Sequence, residues 1–359
     1  MSAGTIAQCG DLMADYLEAR RTLPMLHPPS TISIALVHGM LSGVRARGEP
    51  VDAFLADAGI APELLEQVGA RVTADQYVTL FRLLVERRED EALGFLSRPL
   101  KRGSFELLAR SGMGAPTLEA ALRRIARTFR VLQDDVLLHG VREGAWAGAS
   151  LQFSNAAIGQ QVFLHELLLR IFWRLLAWLA GGQLPATRFD FEFERPAHAG
   201  SYGKAFPAPL QFRQPHSAFW FDAALLQQPV RRDEAALRAF LADAQANVIV
   251  PRRGEDMIST RVRGHLQRSQ PAWPDLVATA EALHMAPSTL QRRLATDGTS
   301  FQALKDELRR DLAIVRLNTS AVPLAVLAGE LGFADSAAFQ RAFKNWTGSA
   351  PGAYRRAGR

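Results

Sequence analysis

Apolar and polar positions follow their most regular pattern in residues 324–347, where apolar side chains recur at spacings of three and four. This spacing predicts two short helices that meet at Gly332. Glycine adopts the positive φ that a tight turn requires, and the Asp-Ser pair that follows can cap the second helix. Phe339, Phe343 and Trp346 then fall on one face of that helix and polar side chains on the other. The pattern predicts a helix-turn-helix unit.

The same arrangement occurs a second time in residues 274–295. His284 takes the turn position that glycine holds in the downstream copy, and histidine enters left-handed space more readily than most residues. Leu290 and Leu294 are the expected inward-facing anchors. A single helix over residues 301–317 is predicted between the units, and its length of about 25 Å suits two reading helices about 34 Å apart, one turn of duplex DNA. The C-terminal part is therefore predicted to be an all-α domain of two helix-turn-helix units joined by a long helix.

The outward face of each second helix carries side chains that suit contact with DNA. An arginine can pair with guanine O6 and N7, and a glutamine with adenine N6 and N7. Lys344 and Arg293 lie where a phosphate contact is expected, and Ala337 offers only an apolar contact, such as one to a thymine methyl group. Arg309 and Arg310, on the connecting helix, are expected either to contact phosphates or to face solvent. The predicted DNA-binding residues are Ser288, Gln291, Arg292, Arg293, Ser336, Ala337, Gln340, Arg341 and Lys344.

The residues before 229 predict an α+β domain that is mostly helical with a small β-sheet. Helical spacing dominates as far as residue 134, and alternation with a period of two appears between 135 and 222. Residues 136–141 and 146–153 are expected to form a hairpin. The predicted helices span residues 32–45, 51–58, 74–89, 105–110 and 118–132, and the other predicted strands span residues 189–194, 210–213 and 218–221.

The most hydrophobic window of the chain, residues 161–180, contains charged residues that a membrane span would exclude, so it predicts a buried helix. Glu166, Arg170 and Arg174 are spaced four apart and are expected to form a ladder of ion pairs. Several large side chains of this domain are interpreted as ordinary core residues in preference to a ligand pocket. They are Trp146, Phe153, His165, Trp173, Phe193 and Trp220.

Residues 229–255 are predicted to separate the two domains. An amphipathic helix over residues 234–248 is expected either to pack on the N-terminal domain or to form the seam of a dimer, and an exposed linker follows at 251–255. We therefore predict an effector-sensing and dimerisation domain in residues 1–228, a hinge helix and linker in residues 229–255, and a DNA-binding domain in residues 256–359.

The composition agrees with this division. A chain of 359 residues with 48% apolar residues can bury at least two cores. Residues 256–359 hold 14 Lys and Arg against 9 Asp and Glu, so +5 of the net charge of +6 lies there, where contact with nucleic acid requires it. Cys9 is the only cysteine, which excludes an internal disulfide and a cysteine-based zinc cluster. Acidic residues interrupt the N-terminus, so no export signal is expected and a cytosolic setting fits.

Residues 300–355 also carry a specific signature. It includes Leu331-Gly332-Phe333, Phe339-Gln340-Arg341-Ala342-Phe343 and Trp346-Thr347-Gly348. This segment closely resembles the DNA-binding domain of the AraC/XylS transcriptional regulators. Further upstream, a second set of residues is similar to the arabinose-binding-type ligand domain of one branch of that family. That set comprises Ala58-Gly59-Ile60, Leu64-Leu65, residues 103–108 and residues 116–122.

The resemblance implies a bacterial cytoplasmic regulator that binds double-stranded promoter DNA as a homodimer. It also implies a small-molecule effector bound to the N-terminal domain, and RNA polymerase as a further partner. The family name does not imply that arabinose is the effector. We expect no membrane association, no cofactor and no metal site.

Two other functions stay open on the sequence. In one, the chain is a ligand-independent DNA-binding dimer whose N-terminal domain only dimerises. In the other, an enzyme is fused to a DNA-binding domain. The histidines show no metal spacing, His165-Glu166 lacks the second histidine of a zincin helix, and neither a phosphate-binding loop nor a nucleophile elbow occurs. We therefore expect a regulator and not an enzyme.

Overall fold

The computed structural model describes residues 30–182, 184–242, 248 and 258–355, except for the side chains of residues 203 and 204. The predicted linker at 251–255 and most of the second half of the predicted hinge helix lie outside these residues. Within them the chain forms a mixed α/β part as far as residue 242 and an all-helical part from residue 258.

The N-terminal part begins with an antiparallel sheet of two strands, β1 (Thr31–Ser33) and β2 (Arg71–Thr73). Each strand leads directly into a helix, and the hydroxyls of Ser33 and Thr73 accept hydrogen bonds from the first turns of these helices. The five predicted helices are confirmed, with ends shifted by at most two residues. They are α1 (Ile34–Ala46), α2 (Asp52–Asp57), α3 (Ala74–Arg88), α4 (Ser104–Gly112) and α5 (Leu118–Leu132).

A second sheet covers one side of these helices. Its strands are β3 (Val136–Glu143), β4 (Trp146–Phe153), β5 (Arg188–Asp190), β6 (Leu210–Gln211) and β7 (Ser217–Asp222). They are ordered β3-β4-β7-β5-β6, and only β5 and β6 run parallel. The predicted hairpin is confirmed as β3–β4. Strand β5 ends four residues earlier than predicted. Beyond its end, the Glu192 backbone N–H donates to the side-chain hydroxyl of Ser217 in β7 at 3.0 Å, and not to a backbone carbonyl of that strand.

A short helix, α6 (Ala156–Gly159), precedes the long helix α7 (Val162–Leu179), which is buried along most of its length as predicted. The expected ladder of ion pairs on α7 is wrong. The Glu166 carboxylate accepts hydrogen bonds from a tyrosine and a histidine of the 3-10 segment that follows β5. Arg170 Nε and Nη2 have no hydrogen-bond partner among the described residues, and the Arg174 guanidinium lies over a tryptophan ring. Two donors from another segment thus take the place that the spacing assigns to Arg170.

The described half of the predicted hinge helix is α8 (Glu234–Ala242), and it packs on the N-terminal part. Leu237 is fully buried. The Phe240 ring stacks on Trp178 with 4.6 Å between the ring centroids. Residues 234–242 therefore confirm the expectation of a helix packed on its own domain. A dimer seam in the rest of the predicted helix stays a prediction.

Seven helices lie in residues 258–355, including both helices of each predicted helix-turn-helix unit and the long helix between the units. They are α9 (Ile258–Arg268), α10 (Leu276–Ala282), α11 (Pro287–Thr296), α12 (Phe301–Thr319), α13 (Leu324–Glu330), α14 (Ser336–Thr347) and α15 (Pro351–Arg355). Helix α12 has 19 residues and is therefore about 28 Å long. Its buried Leu304, Leu308 and Leu312 form the centre of this part.

The β1–β2 sheet packs on α12, and a group of buried polar side chains crosses the contact between the two parts. Asp311 is fully buried and accepts hydrogen bonds from the Thr31 hydroxyl, from Arg263 Nη2 at 2.7 Å and from Arg310. The Thr31 hydroxyl also accepts from Arg71 Nε at 2.7 Å. Burial and the nearby Arg310 lower the pKa of Arg71 to about 10. We call these five residues the Asp311 cluster.

Candidate DNA-binding interface

The downstream helix-turn-helix unit consists of α13, a tight turn and α14. Gly332 has a φ of +72°, which confirms the turn expected at this glycine. Of the two candidate caps it is Asp335 that acts, because its Oδ1 accepts the backbone N–H three residues farther on at 2.7 Å. Phe339 and Phe343 are fully buried and Trp346 is half-buried. The inward face of α14 is therefore the predicted one.

The upstream unit consists of α10, a turn and α11. His284 holds the left-handed turn position with a φ of +55°, as its match to the downstream glycine predicts. The supporting helix begins two residues later than predicted, because Asp275 Oδ1 accepts the Ala278 backbone N–H at 2.9 Å and so caps the helix. Leu290 and Leu294 are fully buried. Both reading helices, α11 and α14, are thus anchored by apolar side chains on one face only.

A set of contacts around Trp273 ties the two units together. The Trp273 indole N–H donates to the Glu330 carbonyl at the end of α13 at 2.8 Å. The Arg309 guanidinium lies 5.1 Å from the ring centroids of both Trp273 and Phe333. Lys305 Nζ donates to the Trp273 carbonyl at 2.9 Å. These contacts, which we call the Trp273 clamp, join both units to α12, so the reading helices are held in a fixed relation to each other.

The structure contradicts the proposed contact of Arg309 and Arg310 with phosphates or solvent. The Arg309 side chain is 14% exposed and lies within the Trp273 clamp, and burial lowers its pKa. The Arg310 side chain is 16% exposed and pairs with Asp311 at 3.3 Å. Helical spacing indicates which face a residue occupies, but it does not reveal that another part of the chain covers that face.

The nine predicted DNA-binding residues lie on the two reading helices, away from the buried anchors. Eight are exposed and Ser336 is half-buried. Arg292, Arg293, Arg341 and Lys344 form no ion pair within the part of the chain that the structure describes. Four cationic side chains are therefore available to a ligand. Their roles toward particular bases or phosphates stay predictions.

Among the described residues, His, Cys, Asp and Glu side chains nowhere form a group of three or more that could hold a metal ion. No helix in the described ranges is both long and apolar enough to cross a membrane.

Two family profiles match the chain. The first describes the arabinose-binding domain of AraC transcription regulators and matches residues 48–230. The second describes a helix-turn-helix domain and matches residues 279–357. Together they cover both the mixed part and the two units that form the candidate interface.

Known proteins agree with these profiles. The ornithine utilization regulator of Pseudomonas aeruginosa is 27% identical over 339 residues, which is 93% of this chain and 99% of that protein. VirS, a helix-turn-helix transcriptional regulator of Mycobacterium tuberculosis, is 27% identical over 53% of this chain and 56% of its own length. The crystal structure of the Pseudomonas aeruginosa regulator CdpR aligns with 89% of this chain and 97% of its own at 21% identity, with a TM-score of 0.30. The arabinose-binding profile alone matches more than half of the 359 residues, and the chain therefore belongs to the AraC family of DNA-binding transcription regulators, with an N-terminal domain of the arabinose-binding type.

Proposed function

We propose that this regulator binds promoter DNA in the cytoplasm as a homodimer, under the control of a small-molecule effector held by the N-terminal domain. In this proposal residues 1–228 sense the effector and dimerise, residues 229–255 form a hinge helix and linker, and residues 256–359 bind DNA. The nine residues on α11 and α14 contact the duplex, and RNA polymerase is a further partner.

One observation carries the DNA-binding part of the proposal. Each reading helix presents a glutamine next to an arginine on its exposed face, Gln291 with Arg292 and Gln340 with Arg341. A glutamine and an arginine can each bind the edge of a base through two hydrogen bonds. Because the Trp273 clamp fixes both helices to α12, one protomer can present both pairs to adjacent turns of the major groove.

The experiment compares Arg341→Ala with Lys344→Ala, measured by fluorescence anisotropy on a cognate and a scrambled duplex at several salt concentrations. Loss of a base contact at Arg341 should weaken cognate binding by about 1 to 3 kcal/mol, or about 5- to 150-fold, and relax the preference at one base pair. Loss of a phosphate contact at Lys344 should weaken both duplexes alike and reduce the salt slope by about one.

Neither substitution should disturb the fold, since both side chains are exposed and neither has an ion-pair partner in the described residues. Unchanged thermal melting of both variants is the control. An equal loss on the two duplexes for Arg341→Ala would contradict the reading role of that residue.

Two observations support control by an effector. The Asp311 cluster joins the N-terminal part directly to α12, so a change in the first part can reach both reading helices. A relative that matches 93% of the chain is named an ornithine utilization regulator, and we take from it that this chain also controls the use of a small metabolite. The competing function is a ligand-independent dimer. Thermal-shift screening of the full chain against metabolites of the neighbouring genes separates the two, because an effector that binds the folded chain raises its melting temperature.

A further inference from the structure

The turns of the two helix-turn-helix units have the same hydrogen-bonded geometry. Each turn residue has a positive φ, +55° at His284 and +72° at Gly332. Its backbone N–H donates to the carbonyl three residues earlier, at 2.9 Å in both units. The next backbone N–H donates to the carbonyl five residues earlier, again at 2.9 Å in both. Each unit therefore directs the chain out of its supporting helix in the same way.

The two reading helices are also anchored at the same positions. Counted from the first residue of each helix, the fourth and eighth residues are fully buried, Leu290 and Leu294 in α11 and Phe339 and Phe343 in α14. The connection from the turn to the helix is one residue longer in the downstream unit, but the anchors keep their places in the helix. Since successive residues are about 100° apart around a helix axis, equal anchors give the two helices equal outward faces.

The same two side chains occupy the centre of each outward face. The fifth and sixth residues are Gln291 and Arg292 in α11, and Gln340 and Arg341 in α14. All four are exposed. The sixth residue lies about 180° around the axis from the midpoint of the two anchors. Each arginine therefore points directly away from the buried face, with the glutamine beside it.

This equivalence has a chemical consequence in the major groove. An arginine pairs with O6 and N7 of guanine through two hydrogen bonds, and a glutamine pairs with N6 and N7 of adenine. Which bases a reading helix selects depends on its side chains and on how the helix lies in the groove. Because the two units agree in the first respect and share the same anchors and turns, they present the same donors and acceptors to DNA.

The positions around this pair differ between the units. The second residue of the helix is Ser288 in α11 and Ala337 in α14, and the ninth is Ala295 in α11 and Lys344 in α14. Serine can bond to several bases and alanine makes only apolar contacts, whereas a lysine at the ninth position suits a phosphate. These differences affect flanking bases and overall affinity, and they leave the central pair of contacts the same.

Both pairs belong to one rigid part of the protomer. The Trp273 clamp joins each unit to α12 through hydrogen bonds and ring contacts, so the two reading helices approach a duplex together. Successive segments of the major groove on one side of a duplex are about 10 base pairs apart. Two equal reading helices at this separation require two equal targets.

We propose that both units of one protomer read the same two neighbouring base pairs, a G·C pair through the arginine and an A·T pair through the glutamine. The promoter site of each protomer then contains this pair of bases twice, about 10 base pairs apart. The inference rests on the proposed DNA-binding function. It goes further in naming the bases and their repetition.

The test is selection of binding sites from a random duplex library by the full chain, by Arg292→Ala and by Arg341→Ala, followed by sequencing. Sites selected by the wild type should contain two preferred guanines about 10 base pairs apart, each beside a preferred adenine. Each variant should lose the preference for one guanine, keep the other, and bind the wild-type site about 5- to 150-fold more weakly. If the two variants relax positions that prefer different bases, the assignment is overturned.

A second pair of variants tests for an equal change of specificity. Glutamate accepts a hydrogen bond from N4 of cytosine, so Gln291→Glu and Gln340→Glu should each replace one preferred adenine by cytosine. The two replacements should occur in different copies of the repeated pair. A change to cytosine in one variant only, or in neither, would contradict the equivalence of the two helices.

A third variant extends the equivalence to the phosphate contact. Ala295→Lys places a lysine where Lys344 stands in α14, and unchanged thermal melting is its control, since Ala295 is exposed. The variant should tighten binding to cognate and scrambled duplexes alike and increase the salt slope by about one. If Lys344→Ala lowers the salt slope while Ala295→Lys leaves it unchanged, the two helices meet the duplex differently and the assignment is wrong.

Failure of the proposed function has a different signature. If neither arginine variant relaxes any base pair, the reading roles themselves are wrong, and the repetition falls with them. If each variant relaxes one base pair but the two bases differ, only the repetition is refuted, and base reading by both units stands.

Discussion

Thr31→Val is the sharpest test of the contact between the two parts of the molecule. The Thr31 hydroxyl is 1% exposed and donates to Asp311 while it accepts from Arg71 Nε at 2.7 Å. Valine has nearly the same shape, so the substitution removes the hydroxyl and leaves the packing of β1 in place. The Asp311 carboxylate keeps its bond from Arg263, and Arg71 keeps the bond from Nη2 to the Thr31 carbonyl at 2.7 Å.

The expected loss follows from the two hydrogen bonds that disappear. Each involves a charged partner, and such bonds contribute about 1.5 to 3 kcal/mol each. Since both charged partners retain another hydrogen bond, we take the lower end for each and expect a loss of about 3 kcal/mol. The loss falls on the junction between the β1–β2 sheet and α12, not on either core.

Urea unfolding of the full chain, followed by tryptophan fluorescence, measures this loss. Thr319→Val is the matched control, because Thr319 is exposed and its hydroxyl donates only to the Val315 carbonyl of the same helix at 2.8 Å. We expect the control to change the free energy of unfolding by less than about 0.5 kcal/mol. If Thr31→Val lowers the free energy of unfolding no more than Thr319→Val does, the Thr31 hydroxyl does not hold the two parts together.

Three further predictions concern stability. Gly332→Ala should lower the free energy of unfolding by about 2 kcal/mol, because φ is +72° and the new Cβ would lie 2.9 Å from Trp273 Cδ1. The control is Gly329→Ala, where a Cβ meets nothing within 4 Å, and it should leave the melting midpoint unchanged or raise it. Trp273→Phe should cost about 1 kcal/mol in urea unfolding through loss of the hydrogen bond to Glu330, and no loss would refute the clamp. Burial lowers the pKa of His165. As the pH falls below about 6.5, the imidazole binds a proton more readily in the unfolded chain than in the folded chain. The free energy of unfolding should therefore be highest above about pH 6.5 and decrease below it. His165→Gln should flatten this dependence in melting curves between about pH 5 and 8, and an unchanged slope would contradict the assignment.

Local signals made most of the C-terminal part predictable. A turn needs a residue that accepts positive φ, a helix start needs an acceptor side chain, and an anchored helix needs apolar residues on one face. These three signals lie within a few positions of one another: Gly332 supplies the turn, Asp335 the cap and Phe339 an apolar anchor. A local pattern in the sequence therefore contains all of them. The long helix α12 was equally predictable, because its apolar residues recur at helical spacing over five turns.

Contacts between distant segments were not predictable in the same way. Arg309 lies in the Trp273 clamp through residues 36 positions upstream and 24 downstream, and Thr31 meets Asp311 across 280 positions. Nothing in the local pattern around these residues indicates such partners. The β1–β2 sheet escaped prediction for a related reason, since strands of three residues show too little alternation to be recognised.

The N-terminal side chains interpreted as core residues illustrate the same limit. His165 and Trp173 are buried as expected, but Trp146 is 43% exposed, so that interpretation is wrong for Trp146. Glu166 was assigned to an ion pair on its own helix, because spacing shows only neighbours along that helix. Its true partners, Tyr202 and His198, come from a segment more than 30 positions away.

Helix α12 meets the Asp311 cluster on one side and the Trp273 clamp on the other. Asp311 and Arg309 are two residues apart and therefore point in directions about 200° apart around the helix axis. We therefore expect a displacement that begins at β1 to reach α11 and α14 together, through this one helix. Such a protein would release both halves of a bipartite operator in a single step, and its titration on that operator would show no half-occupied species.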